Sequence, residues 1–107
     1  MTFYIKRNDT SPAMLATLQD ANGVAVNITA ASVRFHMWPI SSRVIKVDAA
    51  ATIVTPLDGL VRYDWVGSDA DAIGSYQAEF EVTYADASVE TFPNDGYIRV
   101  EIISDIA

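Results

Sequence analysis

The alternation of apolar and polar side chains between residues 75 and 84 constrains the fold of this chain more than any other feature. Apolar or aromatic residues occupy every second position there: Tyr76, Ala78, Phe80, Val82 and Tyr84. The residues between them are polar or acidic: Gln77, Glu79, Glu81 and Thr83. Because successive side chains of a β-strand point to opposite faces, this segment is predicted to be a strand with one buried and one solvent-facing side.

The same period of two recurs along the chain, whereas no segment carries a sustained helical period. Clear alternation predicts further strands at residues 32–38, 60–65 and 97–103. Weaker strands are predicted at residues 3–6, 14–18, 24–28, 44–47 and 52–55, with turn-forming residues between them. One helical turn is predicted at residues 68–72. The shared inward positions predict the core: Phe35, Val61, Tyr63, Trp65, Tyr76, Ala78, Phe80, Val82, Ile98 and Val100.

Short strands at this spacing predict an all-β fold, an immunoglobulin-like antiparallel β-sandwich of two sheets with about 7–9 strands. With 107 residues and no internal repeat or linker, residues 1–107 are predicted to form a single domain. Gly74 followed by Tyr76 is typical of the tyrosine corner, in which the tyrosine hydroxyl bonds to upstream backbone. The alternative is that Tyr76 simply faces the core from its strand.

Composition and charge argue against several classes of protein. Seven scattered Lys and Arg stand against 14 Asp and Glu, giving a net charge of −7. Nucleic-acid binding rests on clustered basic residues, so no nucleic-acid partner is predicted. No apolar run approaches the roughly 20 residues of a membrane helix, and residues 1–6 lack the layout of a signal peptide, so no membrane partner is predicted. Cysteine is absent, which rules out disulfides and thiolate metal sites.

The residues that carry enzymatic or metal chemistry do not form a recognisable set. His36 is the only histidine, so a Ser-His-Asp triad or a multi-histidine metal site has at most this one histidine to draw on. His36 is predicted to be a surface or interface residue. Asp69 and Asp71 lack the ordered oxygen ligands and downstream Glu of a calcium loop. Glu79 and Glu81 are predicted to lie on the solvent-facing side of their strand. We therefore predict no enzymatic activity, no cofactor, no metal and no catalytic residue.

Apolar residues outside the inward registers predict a partner interface. They are Trp38, Pro39, Ile40, Leu15, Leu60 and Phe92. Trp38 alternates away from Phe35 and Met37 and begins a predicted loop, where Pro39 stiffens the tip. Tryptophan is among the residue types that dominate interface energies, so Trp38 is the predicted anchor. The alternative is that neighbouring loops fold back and cover these side chains.

Six segments, in order, resemble the immunoglobulin-like domain at the N-terminus of phage baseplate upper proteins: residues 9–13, 16–20, 31–37, 61–65, 74–82 and 91–97. The resemblance implies a non-enzymatic virion structural protein, a tail, baseplate or neck connector or adaptor that acts through protein–protein contacts. Its implied partners are other phage structural proteins and, as a second option, copies of itself in a symmetric assembly. Its implied location is the virion, after synthesis in the host cytoplasm.

Two alternatives to that function stay open from the residues. The first is a capsid decoration protein. The second, from a different class, is a soluble ligand- or carbohydrate-binding β-sandwich module. A glycan site needs an aromatic platform beside convergent polar groups, and the candidate rings are Trp38, Tyr84, Phe92 and Tyr97.

Overall fold

A computed structural model describes residues 2–106; Met1 and Ala107, the ends of the predicted domain, lie outside the described residues. The described part contains nine strands and one short 3₁₀ helix, Pro56–Asp58. The strands are β1 (Thr2–Lys6), β2 (Met14–Thr17), β3 (Ser32–Pro39), β4 (Val47–Ala50), β5 (Thr52–Thr55), β6 (Leu60–Tyr63), β7 (Gly74–Thr83), β8 (Val89–Phe92) and β9 (Ile98–Ile103). No helix among these residues is long and apolar enough to cross a lipid bilayer.

The strands form two sheets that pack face to face. The larger sheet has six strands in the order β1-β9-β7-β3-β4, with β8 pairing to the remaining length of β7. The smaller sheet has the order β2-β6-β5. Neighbouring strands are antiparallel except β1 and β9, which pair in parallel. The predicted fold class is confirmed: the chain forms an immunoglobulin-like β-sandwich.

An aromatic cluster joins the two sheets. Phe35 of β3 stacks on Tyr63 of β6 with ring centroids 4.3 Å apart, and it meets the edge of Trp65 at 5.6 Å. Such aromatic pairs add to the stabilisation that burial alone provides. All ten residues of the predicted core are buried. The alternation along β3, β6, β7 and β9 therefore identified the buried face correctly.

The tyrosine corner is also confirmed. The Tyr76 hydroxyl donates a 2.7 Å hydrogen bond to the backbone carbonyl oxygen of Ala72. This bond ties the start of β7 to the chain that leads into it. The hydroxyl thereby keeps a partner while the ring is buried against the core.

Two of the weaker strand predictions are corrected. Residues 24–28 do not form a strand. Only an isolated bridge joins Ala25 to Gln19. The Ile28 N–H bonds to the Pro56 carbonyl instead, so the chain no longer follows that pairing. The strand predicted at residues 44–47 begins instead at Val47, because residues 40–46 form a loop in which Arg43 has a positive φ of 59°.

Two other elements were misplaced or missed. Residues 68–72 form turns and bends rather than a helical turn. The Asp69 carboxylate accepts the N–H of Val66, which precedes it, and does not cap the N–H groups that follow it. Strand β8 was not predicted, because only Phe92 of its four residues is buried and no alternation is visible. It forms by pairing with β7 across a tight turn at Ala87, whose φ is 71°.

Candidate functional site

A groove of about 450 Å³ lies where β2 faces the connection between β8 and β9. One wall is residues 16–21, which comprise the end of β2 and the segment after it. The other wall is residues 92–95 together with Tyr97 and Ile98. The two sheets thus contribute one wall each, because β2 belongs to the small sheet and β8 and β9 to the large one.

The groove has an apolar floor and a polar rim. The side chains of the floor are buried: Ala16, Leu18, Phe92 and Ile98. The residues of the rim are exposed: Thr17, Gln19, Asp20, Asn94, Asp95 and Tyr97. An apolar floor with a few polar groups at its edge is the usual composition of a small ligand site.

Local hydrogen bonds hold the two walls in place. The Asp20 carboxylate accepts the N–H groups of Asn22 at 2.9 Å and Val24 at 3.0 Å, which closes the turn after β2. On the other wall, the Asn94 amide donates to the Thr91 carbonyl oxygen at 2.9 Å and to Glu90 at 3.2 Å. Side chains of the Asp and Asn type commonly bond to nearby backbone in this way and stiffen turns.

Trp38, predicted to be an exposed anchor, is instead buried, with 7% of its surface exposed. It does point away from the core, as the alternation indicated, but three neighbours cover it on the outer face of the large sheet. Tyr97 meets its ring edge-on at 5.3 Å, and the Arg43 guanidinium lies 5.8 Å from its centroid. The indole N–H donates to Gln77 at 3.1 Å. Trp38 therefore supports Tyr97, which lines the groove.

The other predicted interface residues do not form one surface. Phe92, also predicted to lie outside the core, is 1% exposed because β8 pairs with β7 and turns the ring inward. Leu15 is 53% exposed and Leu60 half-buried, both on the outer side of the small sheet. Pro39 is half-buried and Ile40 is 39% exposed, at the end of β3 in the large sheet. That these residues contact a partner stays a prediction.

The charged clusters outside the groove are ion pairs on strand faces. His36 lies half-buried, 3.1 Å from Asp48 and 3.8 Å from Glu79. A hydrogen bond from Arg34 holds the pKa of Asp48 below its ordinary value. Likewise, hydrogen bonds from Ser75 and then Arg99 lower the pKa of Glu101. Over residues 2–106, no group of three or more His, Asp or Glu is arranged to hold a metal ion.

The groove was not predicted from the sequence. The sequence indicated only turn-forming residues between the predicted strands, and Tyr97 as one of four candidate rings for a glycan site. The meeting of the two walls depends on which strand lies at the edge of each sheet, and a single sequence carries no direct signal for that order. The repeated turn chemistry on both walls is the only cue that was present.

The fold and the groove together define an immunoglobulin-like β-sandwich with a solvent-open groove beside one sheet edge. The chain is similar to CopC from Methylosinus trichosporium OB3b, whose crystal structure aligns with a TM-score of 0.56 at 13% sequence identity. The alignment covers 99% of this chain and 87% of that chain. At this identity the likeness concerns the fold. The chain matches no family model and no curated protein sequence.

The prediction of a phage virion structural protein is wrong. CopC, a solved structure that resembles the chain over almost its whole length, is not a tail, baseplate or neck component. The six segments behind the prediction lie in strands and connections of the sandwich, and a shared fold does not by itself imply a shared function. The alternative of a ligand-binding module agrees better with these findings.

Proposed function

We propose that this protein is a non-catalytic binding module that takes its ligand in the groove between β2 and the β8–β9 connection. The observation that carries the proposal is the set of apolar side chains, Ala16, Leu18, Phe92 and Ile98, beneath a rim of polar ones. Ligand sites are concave and largely apolar, with a small number of polar groups that orient the ligand.

The residues of the groove favour binding over catalysis. Its rim offers two carboxylates, two amides, a hydroxyl and a phenol. His36, the only histidine, lies on the outer face of β3, paired with carboxylates of β4 and β7. A hydrolytic or transfer site needs a nucleophile held against a base. The described lining residues contain no such pair within hydrogen-bond distance.

A glycan is a second candidate ligand, and one observation favours it. Tyr97 exposes 43% of its surface at the rim, next to Asn94 and Asp95, so one aromatic ring stands beside an amide and a carboxylate. The other rings considered from the sequence do not join it: Phe92 lies under the floor, and Trp38 is covered by Tyr97 itself. A single exposed ring is a small platform for a sugar.

The proposal is tested by finding a ligand and then filling the groove. Panels of oligosaccharides and of short peptides are screened for those that raise the melting temperature, since a ligand that binds only the folded state stabilises it. The affinity of each hit is then measured for Gln19→Trp, which places a large ring at the rim of the groove. The matched control is Thr52→Trp, on the exposed far edge of the same sheet.

We expect Gln19→Trp to weaken binding by roughly tenfold or more and Thr52→Trp to leave it within about twofold. Equal affinities for both variants and the unaltered protein would place the ligand elsewhere and contradict the proposal. Both variants are compared only if their melting temperatures stay close to that of the unaltered protein.

A further inference from the structure

The edge of β2 that faces the groove has free backbone groups. β2 pairs on one side only, with β6, and the Leu18 N–H continues that pairing by bonding to the Gly59 carbonyl at 2.8 Å. Backbone groups alternate in direction along an antiparallel strand, so those of Leu15, Thr17 and Gln19 point the other way. Within residues 2–106, none of these three makes a backbone hydrogen bond on that side.

The groove runs along this edge rather than across a face of the sheet. Its wall consists of six consecutive residues, 16–21, whereas a sheet face would present only every second residue. The floor beside the edge is apolar, and the opposite wall is the β8–β9 connection together with the last residue of β8 and the first of β9. The groove therefore has room for one additional strand beside β2, at the edge of the small sheet.

β2 also carries no side chain or irregularity that would block pairing at this edge. Natural edge strands are commonly blunted by a Lys, a Pro or a β-bulge. β5, the other edge of the same sheet, carries an irregularity between Ile53 and Thr55. β2 is regular over its four pairs with β6 and contains neither Lys nor Pro.

The charge of the groove favours a cationic partner over a second copy of the chain. Its lining includes two carboxylates, Asp20 and Asp95, and no Lys, Arg or His. Neither carboxylate forms an ion pair with another described residue. A second copy of the chain would bring two such edges, and two net charges of −7, against each other. A cationic partner is favoured instead, because complementary charge steers association and suppresses wrong partners.

We infer that the ligand is an extended peptide segment carrying Lys or Arg, which adds to the free edge of β2 as an extra strand with its basic side chains toward Asp20 and Asp95. This inference rests on the proposed function and names its ligand class. In strand addition, main-chain hydrogen bonds supply affinity, and alternate side chains supply specificity. The edge from Leu15 to Gln19 spans about 14 Å and accommodates about five peptide residues.

The test begins with a random linear peptide display library selected on the full chain. The best peptide is synthesised, and each of its backbone amides is methylated in turn. A peptide that pairs with β2 directs every second N–H toward the strand, so we expect methylation at alternate positions to weaken binding roughly tenfold and at the intervening positions to change it little. We also expect Lys or Arg to be enriched among the selected sequences.

Protein variants test the same contact from the other side. Thr17→Pro removes the outward N–H of β2 without removing a bond to β6, and Thr17→Val keeps that N–H. Asp95→Lys reverses a charge in the groove, and Asp58→Lys makes the same change on an exposed residue outside it. We expect binding to weaken roughly tenfold for Thr17→Pro and Asp95→Lys, and to stay within about twofold for Asp58→Lys. Thr17→Val changes a side chain at the rim but keeps the N–H, so it should weaken binding less than Thr17→Pro does.

Failure of this inference is distinguishable from failure of the proposed function. If binding is sensitive to Gln19→Trp but shows no alternation under N-methylation, the groove is the site and strand addition is wrong. If saccharides bind in the groove and no peptide does, the ligand class is wrong. A concentration-dependent dimer that Thr17→Pro dissolves would make a second copy the occupant and overturn the inference. If Thr17→Pro does not fold, the methylated peptides still decide.

Discussion

The Tyr76 hydroxyl lies 2.7 Å from the carbonyl oxygen of Ala72, and this bond fixes where β7 begins. β7 is the central strand of the large sheet, with β3 on one side and both β9 and β8 on the other. The position of β8 and β9 along β7 in turn places their connection opposite β2. The tyrosine corner is thus the first step in a chain of contacts that ends at the groove.

Removing that hydroxyl is expected to destabilise the fold. Tyr76→Phe should lower the free energy of unfolding by about 1 kcal/mol, because the Ala72 carbonyl loses its partner in a part-buried position. Urea unfolding measures this as a lower midpoint at an unchanged slope. Tyr97→Phe is the control, since the Tyr97 ring is exposed at the rim. A midpoint for Tyr76→Phe that equals that of the control would show that the bond contributes nothing.

Gly59 is predicted to tolerate no side chain. Its φ is +63°, and a Cβ there would lie 2.7 Å from the Val26 carbonyl oxygen and 2.8 Å from that of Leu18. We expect Gly59→Ala to destabilise the protein by more than the roughly 1–2 kcal/mol of the left-handed conformation alone. Gly23→Ala is the matched control, with a φ of +78° and no atom within 4 Å. Equal losses of stability in thermal unfolding would mean that the backbone near Leu18 yields without strain.

The alternation predicted the strands that bury every second residue, but not the contacts between distant segments. β3, β6, β7 and β9 were placed because their inward residues recur with a period of two. β8 was missed because a single buried residue, Phe92, leaves no period to detect. The outward direction of Trp38 was predicted, whereas its cover by Tyr97 was not, since that contact requires β9 to lie beside β7. The groove depends on the same sheet order.

Trp38 is now expected to be important for stability and, through Tyr97, for binding. Trp38→Ala should lower the free energy of unfolding by about 3 kcal/mol, because the ring is covered by Tyr97, Arg43 and Gln77. It should also weaken ligand binding, since Tyr97 loses its support. Ile40→Ala, on the next exposed apolar residue, should change stability by less than about 1 kcal/mol. An unchanged melting temperature for Trp38→Ala would instead indicate that Trp38 is an exposed anchor.

Stability is expected to fall at alkaline pH through Tyr84. Burial, and then the hydrogen bond to Glu90, raise the pKa of Tyr84 from 10.0 to about 12. The folded state therefore holds the phenol proton more tightly than the unfolded state. The resulting stabilisation is fully present below about pH 10 and is lost as the pH rises toward 12. Burial raises the pKa values of Tyr63 and Tyr76 as well.

The check on Tyr84 is urea unfolding at several pH values above 9, for the unaltered protein and for Tyr84→Phe. We expect the variant to lose less stability over this range, because it no longer has that proton to release. Tyr4→Phe, on an exposed ring, serves as the control and should follow the unaltered protein. If stability falls equally with pH in all three proteins, Tyr84 does not contribute to the loss of stability at alkaline pH.

Amide chemical shifts of the ¹⁵N-labelled protein show whether the ligand binds in the groove beside β2. A ligand from the thermal screen is titrated in, and the perturbed amides are mapped onto the chain. If the groove is the binding site, the largest changes fall on both walls, at residues 16–21 and at residues 92–98. Changes centred on the end of β3 near Ile40, or on the face around His36, would contradict it.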